Sequence, residues 1–296
     1  MASVYEKQNE RESLKFLWMA QKHYSRLKIL KEIKFFWIVV VTILTVKISN
    51  SSPEEVLLGF TYRELEMALI GINCVVILIA NPANMLLKKY QEYAANIQQC
   101  FDACCFNDSN VNIEIIIKEA YLSRDQRSDI LACELPEDCS KLVNWYENYA
   151  KCPFLEQILY SQRECLKWSE MLKIIYLIVY IAMFSAFLFV LTSYLKKEFS
   201  VEFFAILSNG AVLLEHTVDA IFSISYDFYS LRKVRILSNS IDVKNIRKTK
   251  LQALQKSIYD YRKTNYQVPD LIYCFCRNKL QDFFRRKARV LREGNV

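Results

Sequence analysis

A stripe of polar side chains runs through the last apolar part of the chain. Glu215, Asp219, Ser223 and Asp227 recur at every fourth residue, which places them on one face of an α-helix. Ionisable groups in an apolar segment face a bundle interior, a water path or a membrane interface. We therefore predict that Glu215, Asp219 and Ser223 line a cation-preferring path. The alternative is that Asp219 and Asp227 lie where the helix leaves the lipid, with Glu215 paired to a neighbour.

A second set of side chains has the chemistry of a phosphate or nucleobase site. Gln162, Arg163 and Trp168 lie close together in the sequence; arginine grips phosphate with two hydrogen bonds, and tryptophan stacks on a base. They are candidate ligand-binding residues, or else a structural junction with Trp168 as an interfacial anchor. Arg262 and Arg277 are further candidates, as phosphate ligands or as basic residues bound to lipid headgroups.

Patterns typical of enzymes are missing from the sequence. It has four glycines and lacks a glycine-rich phosphate loop, GxSxG and HExxH, each of which serves a known catalytic chemistry. Its ten cysteines form no CxxC pair and are accompanied by two histidines, a poor basis for a metal site. We expect a protein that is not an enzyme, without a cofactor or metal, whose thiols are mostly reduced and structural.

Four apolar stretches have to position these side chains. We predict membrane-spanning helices at residues 33–48, 67–87, 174–195 and 201–224. The third has twenty-two residues without a charge and, at about 1.5 Å per residue, is long enough for a hydrocarbon core of about 30 Å. The second contains Asn73 and Asn84, whose amides need polar partners in lipid and are therefore further candidates for lining a pore.

Basic residues predict the topology. Lysines and arginines crowd before the first apolar stretch and after the second and fourth, so the positive-inside rule places both termini and the central region in the cytoplasm. The predicted order is a cytoplasmic amphipathic helix (1–32), a transmembrane hairpin (33–87), a central region (88–173), a second hairpin (174–228) and a helical tail (229–296). The expected fold class is thus an all-α membrane protein with four spans, with minor β structure near Val111–Ile117 in the central region.

The tail carries most of the positive charge. Residues 229–296 contain 17 Lys and Arg against 5 Asp and Glu, a net +12, so the rest of the chain is net −5 within the total of +7. Such a basic region attracts phosphate-rich partners, either anionic lipid headgroups or nucleotides.

Several short motifs together resemble a known family. They are Gln8-Asn9-Glu10, AQKHYS at 20–25, AANIQQCFD at 94–102, Trp145-Tyr146, Gln162-Arg163 with Trp168, and IYDYRKTNYQVPDLIYCFCR at 258–277. The chain is similar in these to the four-transmembrane effector family that is encoded beside nucleotidyltransferases in bacterial cyclic-oligonucleotide antiphage systems. It departs from the family at Glu164-Cys165, where Ser-Asn is usual, and at Ser169, where Asp is usual.

The resemblance implies a multi-pass effector of the bacterial inner membrane. Its expected partners are the lipid bilayer and a cyclic oligonucleotide from the partner nucleotidyltransferase, but not DNA. Trp145 joins the candidate ligand residues on this basis. On binding, the effector would permeabilise the membrane and cause abortive infection, and because four short spans hardly enclose a wide water path we expect a homo-oligomer. The alternatives are a constitutive channel or transporter-like protein and a membrane scaffold, neither of which is gated by nucleotide.

Overall fold

The computed structural model describes residues 2–49, 56–57, 59–107, 116, 122–140, 142–195 and 201–293. It is 81% helical, which confirms the predicted all-α class. In chain order the helices are α1 (Val4–Lys7), α2 (Arg11–Ser49), α3 (Tyr62–Phe106), α4 (Arg124–Ala132), α5 (Phe154–Leu195), α6 (Val201–Asn239), a 3₁₀ helix (Val243–Asn245), α7 (Lys248–Thr264) and α8 (Asp270–Glu293).

The long helices α2, α3, α5 and α6 follow from a sequence with few helix breakers. Each has between 39 and 45 residues, and α2 joins the predicted amphipathic helix to the first apolar stretch. A break separates the last two helices, because α7 ends at Thr264 and α8 begins at Asp270. Pro269 precedes that start, and a residue before proline is disfavoured in the helical conformation.

The β structure is small. Strands β1 (Val56–Leu57) and β2 (Phe60–Thr61) form an antiparallel hairpin in which Leu57 pairs with Phe60. Gly59 in the turn has φ +86°, a conformation that glycine adopts without steric cost. The predicted strand-like run Val111–Ile117 lies outside the described residues except for Ile116, which is helical.

The chain divides into two compact units. The first unit comprises Met1–Lys28, Lys88–Ile174 and Tyr226–Val296, and the second comprises Ile29–Leu87 and Ile175–Ser225. Each of the four long helices therefore contributes residues to both units.

The first unit has an apolar core built from all three of its chain pieces. Its largest fully buried side chains include Phe16, Leu17, Ile97, Phe101, Tyr146, Leu159, Ile241, Leu254 and Phe284. Phe101 and Tyr146 stack with their ring centroids 5.9 Å apart. Burying one such side chain stabilises a fold by about 1.5–3 kcal/mol, so this core holds the polar groups described below in fixed positions.

The second unit presents large apolar side chains on its surface, among them Phe36, Ile178, Phe189 and Phe222. Within the part of the chain that the structure describes, one helical stretch, Phe154–Phe189, is long enough to cross a membrane and contains an 18-residue window with a mean hydropathy of 2.2. That stretch includes most of the third predicted span. The spans at 33–48, 67–87 and 201–224 stay predictions.

Candidate functional site

A buried polar network surrounds Asp102 near the end of α3. Its carboxylate is 1% exposed and accepts hydrogen bonds from the Tyr146 hydroxyl at 2.6 Å and from Gln255 Nε2 at 2.6 Å. It also forms an ion pair with Arg262. Burial opposes the guanidinium charge, but the Asp102 carboxylate more than compensates, and the pKa of Arg262 is raised. Arg262, a predicted ligand residue, is thus bound within the protein.

Gln162 and Arg163 are also engaged internally. Gln162 Nε2 donates to Gln255 Oε1 at 2.9 Å, which joins Gln162 to the network around Asp102. Arg163 Nη2 donates to the backbone carbonyls of Ser238 at 2.8 Å and Ile241 at 3.3 Å. Helix α6 ends at Asn239, so Arg163 binds one carbonyl in the last turn of this helix and one just beyond its end.

The two candidate tryptophans pack against other parts of the first unit. The Trp168 ring lies 5.8 Å from the Phe284 ring and 6.0 Å from the Tyr273 ring, centroid to centroid, so it joins α5 to α8. Trp145 is half-buried against the apolar core. Among the six candidate ligand residues, Arg277 lines a cleft, which is described below.

The connection between α7 and α8 receives bonds from α5 and α6. Lys173 on α5 and Asp227 on α6 form an ion pair whose side chains are 3% and 4% exposed. Both are also bonded to the backbone of Tyr266. Lys173 Nζ donates to the Tyr266 carbonyl at 2.9 Å, and the Tyr266 N–H donates to Asp227 Oδ2 at 2.6 Å. The Lys173 ammonium also lies 5.5 Å from the centroid of the Tyr261 ring.

The same connection is bound by α2 and α3. Gln91 Nε2 on α3 donates to the Asn265 carbonyl at 2.6 Å. On α2, Lys28 Nζ and the Ser25 hydroxyl donate to the Asp270 carboxylate at 2.6 and 3.2 Å. Asp270 is the first residue of α8, and its carboxylate binds α2. We call residues 265–270 the collar, because side chains from all four long helices bind it.

We call the residues that bind the collar from the four long helices, Lys28, Gln91, Lys173 and Asp227, its anchors. They lie close to the ends of the chain pieces that make up the first unit. Lys28 is the last residue of the piece Met1–Lys28. In the piece Lys88–Ile174, Gln91 is the fourth residue and Lys173 is the second to last. Asp227 is the second residue of the piece Tyr226–Val296. Each long helix is therefore fixed by the collar within four residues of the point where it passes out of the first unit.

A cleft of about 420 Å³ lies beside α8 in the first unit. Three arginines line it, Arg277, Arg285 and Arg289, together with Asn144 and Glu147 from the segment before α5. Arg285 Nε lies 3.8 Å from Glu147 Oε1. The cleft carries more positive than negative charge and is open to solvent, so an anion can reach it.

The structure places the predicted pore-lining residues in the second unit. Glu215 and Asp219 are exposed and Ser223 is half-buried, while Ala220 and Ile224 of the same helix are fully buried. The acidic side chains therefore lie on the face of α6 turned away from the unit's own interior. Asn84 on α3 is exposed, and the side chain of Asn73 lies outside the described part of the chain.

Sequence reasoning did not find the collar as a site. Its anchors are single polar residues, Gln91, Lys173 and Asp227, on helices that are distant along the chain. One signal was available, because Lys173 directly precedes an apolar span and Asp227 follows another. Charges in such positions need a partner or water.

Long helices that run from a compact unit into a unit with large apolar side chains on its surface are typical of a helical membrane protein. A family model, the SMODS-associating 4TM effector domain, matches residues 2–208. The chain belongs to this family, and it is a membrane effector associated with a SMODS-type nucleotidyltransferase signalling system. Comparisons with curated proteins and with solved structures find no match. The collar and α8 lie beyond the matched residues.

Proposed function

We propose that this protein is a non-enzymatic effector that permeabilises the bacterial inner membrane when a cyclic oligonucleotide binds its first unit. In this proposal the chain crosses the membrane four times, both termini are cytoplasmic, and the conducting form is a homo-oligomer that causes abortive infection. The observation that carries the proposal is the collar: one segment of six residues is bonded to all four long helices.

The collar offers a simple way to couple a ligand to the membrane segments. A rigid helix transmits a displacement at one end along its length, and packed interfaces tend to switch between discrete arrangements. Since Asn265, Tyr266 and Asp270 hold four helices at once, a shift of α7 or α8 changes the support of both hairpins together. A single binding event then suffices to rearrange the whole set of spans.

The anchors differ in burial, and this difference indicates which bonds to the collar break first. Lys173 and Asp227 are almost fully buried, and separating them leaves charges without compensation at a cost of several kcal/mol. The Asp270 side chain is 43% exposed, so water can replace its bonds to α2 at small cost. Release of α2 from Asp270 is therefore the expected first step of opening.

A ligand opens the effector only if it binds the open arrangement better than the closed one. To shift the ratio from 1:99 to 99:1 it needs about 10⁴-fold higher affinity for the open form. Several charge-assisted hydrogen bonds to phosphate, each worth about 1.5–3 kcal/mol, can supply such a difference.

Dye release from liposomes that contain the purified protein tests the proposal. We expect release on addition of one member of a panel of cyclic di- and trinucleotides, and none without nucleotide. Release in the absence of nucleotide would show a constitutive channel. Absence of release with every member of the panel, from liposomes in which protease protection verifies insertion, would favour a scaffold. Either result contradicts the proposal.

A further inference from the structure

The arginines of the cleft form a regular row. Arg277, Gln281, Arg285 and Arg289 follow one another at every fourth residue of α8, and all four line the cleft. Residues with this spacing lie on one face of a helix. At about 1.5 Å per residue the row is about 18 Å long, which exceeds the reach of one phosphate group.

The cleft has an excess of positive charge. Arg277, Arg285 and Arg289 contribute three positive charges, and Glu147 contributes the one negative charge among the described lining residues. Glu147 faces Arg285 at 3.8 Å, and Arg285 is 60% exposed whereas Glu147 is 18% exposed. A net +2 therefore remains, and the arginine heads can turn towards an anion in the cleft.

The wall opposite α8 is held in place before any ligand arrives. Asn144 has φ +59°, a left-handed conformation that costs free energy in a residue other than glycine. Asn9 stabilises it with a reciprocal pair of bonds: the Asn144 N–H donates to Asn9 Oδ1 at 2.9 Å, and Asn9 Nδ2 donates to Asn144 Oδ1 at 3.1 Å. A fixed wall lowers the ordering cost of binding.

We propose that this cleft binds a soluble ligand with at least two phosphate groups along a phosphodiester backbone, and that this is the gating nucleotide. The proposal rests on the proposed function for the role of the ligand as a trigger. Arginine suits the purpose because its planar fork donates two parallel hydrogen bonds to phosphate. A volume of about 420 Å³ lies in the range of small-molecule sites.

Phosphate groups also occur in lipid headgroups, but the lining favours a soluble ligand. Apart from Val143 and the ring of Tyr5, the side chains that line the cleft are polar or charged. Acyl chains would therefore find little apolar surface beside the arginines. Tyr5 offers a ring against which a base can stack.

The cleft also has a direct route to the collar. Arg277 lies on α8 seven residues after Asp270, which is about 10 Å along the helix. A ligand that draws α8 towards the wall at Asn144 pulls on the same helix whose first residue binds α2.

Isothermal titration with the full-length protein in detergent tests the site, with cyclic di-AMP, cyclic UMP–AMP and cyclic tri-AMP as probes. The test variant is Arg285→Gln with Arg289→Gln. The matched control is Lys279→Gln with Arg286→Gln, which removes two positive charges from exposed positions of α8 that do not line the cleft. We expect the probe that binds the parent to bind the test variant at least about tenfold more weakly, and the control within about twofold.

Each other outcome overturns a separate claim. Equal weakening in both variants would show general charge attraction and overturn the site. Full nucleotide-gated dye release by the test variant would also overturn the site while the proposed function stands. A parent that binds no probe, but binds phosphatidylglycerol vesicles better than the test variant does, would show a lipid headgroup site. A parent that binds a probe in the cleft yet releases no dye would retain the site and contradict the proposed function.

Discussion

Lys173 and Asp227 form an ion pair that is almost completely enclosed by the protein, with side chains 3% and 4% exposed. Their partners are well defined, since Lys173 also donates to the Tyr266 carbonyl and Asp227 also accepts from the Tyr266 N–H. A buried charge is tolerated when an opposite charge and hydrogen bonds replace its water. The pair therefore fixes α5 and α6 to the collar and to each other.

Removing one member of this pair should be more harmful than removing both. Asp227→Asn leaves the Lys173 ammonium buried without a counter-charge, and we expect a loss of about 3–5 kcal/mol of unfolding free energy. Adding Lys173→Met should recover part of the loss, because methionine is uncharged and fits a similar space. Thermal unfolding in detergent measures both. Lys167→Met, which breaks an exposed pair with Glu170, is the control and should change stability by less than about 1 kcal/mol.

Weakening the collar at its exposed anchor should make the effector easier to open. Asp270→Asn removes the charge that binds Lys28 and weakens the bond from Ser25. With about 1 kcal/mol lost from the closed arrangement, the nucleotide concentration for half-maximal dye release should fall about fivefold. Lys167→Met again serves as the control and should release dye as the parent does. An unchanged or higher concentration for Asp270→Asn would show that the bonds to α2 do not hold the closed form.

Glu164 predicts a dependence of stability on pH. Burial raises the pKa of its carboxyl to about 8 from an ordinary value of 4.5, although the Glu147 N–H and the Tyr149 hydroxyl donate to it. The folded protein thus holds a proton that the unfolded chain releases above about pH 4.5. The contribution of this proton to the free energy of unfolding is fully present below about pH 4.5 and is lost as the pH rises through about 8.

The neutral variant Glu164→Gln should be free of this effect. We expect the melting temperature of the parent to fall between about pH 5 and about pH 8 relative to that of Glu164→Gln, by about 2 °C or more. Differential scanning fluorimetry of both proteins in detergent provides the measurement. Melting temperatures that change equally with pH in both proteins would show that folding does not raise the pKa of the Glu164 carboxyl.

Arg262 should be needed for folding more than for ligand binding. Its guanidinium pairs with the Asp102 carboxylate, which also accepts from Tyr146 and Gln255. Arg262→Lys replaces the planar fork with a point charge that cannot reproduce its hydrogen bonds, so we expect a melting temperature lower by about 4 °C or more. Nucleotide affinity of the folded fraction, measured by titration after gel filtration, should stay within about twofold. A loss of nucleotide affinity without a loss of stability would show that Arg262 binds the ligand.

These residues show what the sequence can reveal. The helix break before Asp270 was predictable because the conformational bias of a residue before proline is local. The long helices were predictable because apolar stretches and the scarcity of glycine and proline are visible in composition. In contrast, Arg163 and Arg262 have the residue type of phosphate ligands, and their actual partners, Ser238 and Asp102, lie 75 and 160 residues away. No local pattern distinguishes an arginine that binds a distant carboxylate from one that binds a ligand.

The arginine row on α8 is a candidate ligand site that the sequence alone did not identify. Arg277, Arg285 and Arg289 are spaced for one helix face in the sequence alone, yet the opposing wall comes from residues near Asn144 and from Tyr5. A row of basic residues is usually a solvated helix face. In the folded protein, Tyr5 and residues near Asn144 lie opposite the row, and together they form the cleft.

The acidic stripe on α6 supports a final prediction about the conducting state. Glu215 and Asp219 are exposed on the surface of the second unit, and a carboxylate facing lipid at mid-membrane costs about 2.5–3.5 kcal/mol on insertion scales. If α6 spans the membrane, these side chains need water or a neighbouring subunit. We therefore expect Glu215 and Asp219 to line the path for cations in the assembled effector.

Reversal potentials in planar bilayers with a salt gradient test this arrangement. The variant Glu215→Gln with Asp219→Asn keeps the size of both side chains and removes both charges. We expect the parent to prefer cations and the variant to lose most of that preference, because rings of carboxylates concentrate cations at a pore. Ser225→Ala is the matched control, since Ser225 lies on the same helix and its hydroxyl donates to the Ile221 carbonyl. Equal selectivity in the variant and the parent would place the ion path elsewhere, and the exposed carboxylates would then mark a subunit contact or the membrane interface.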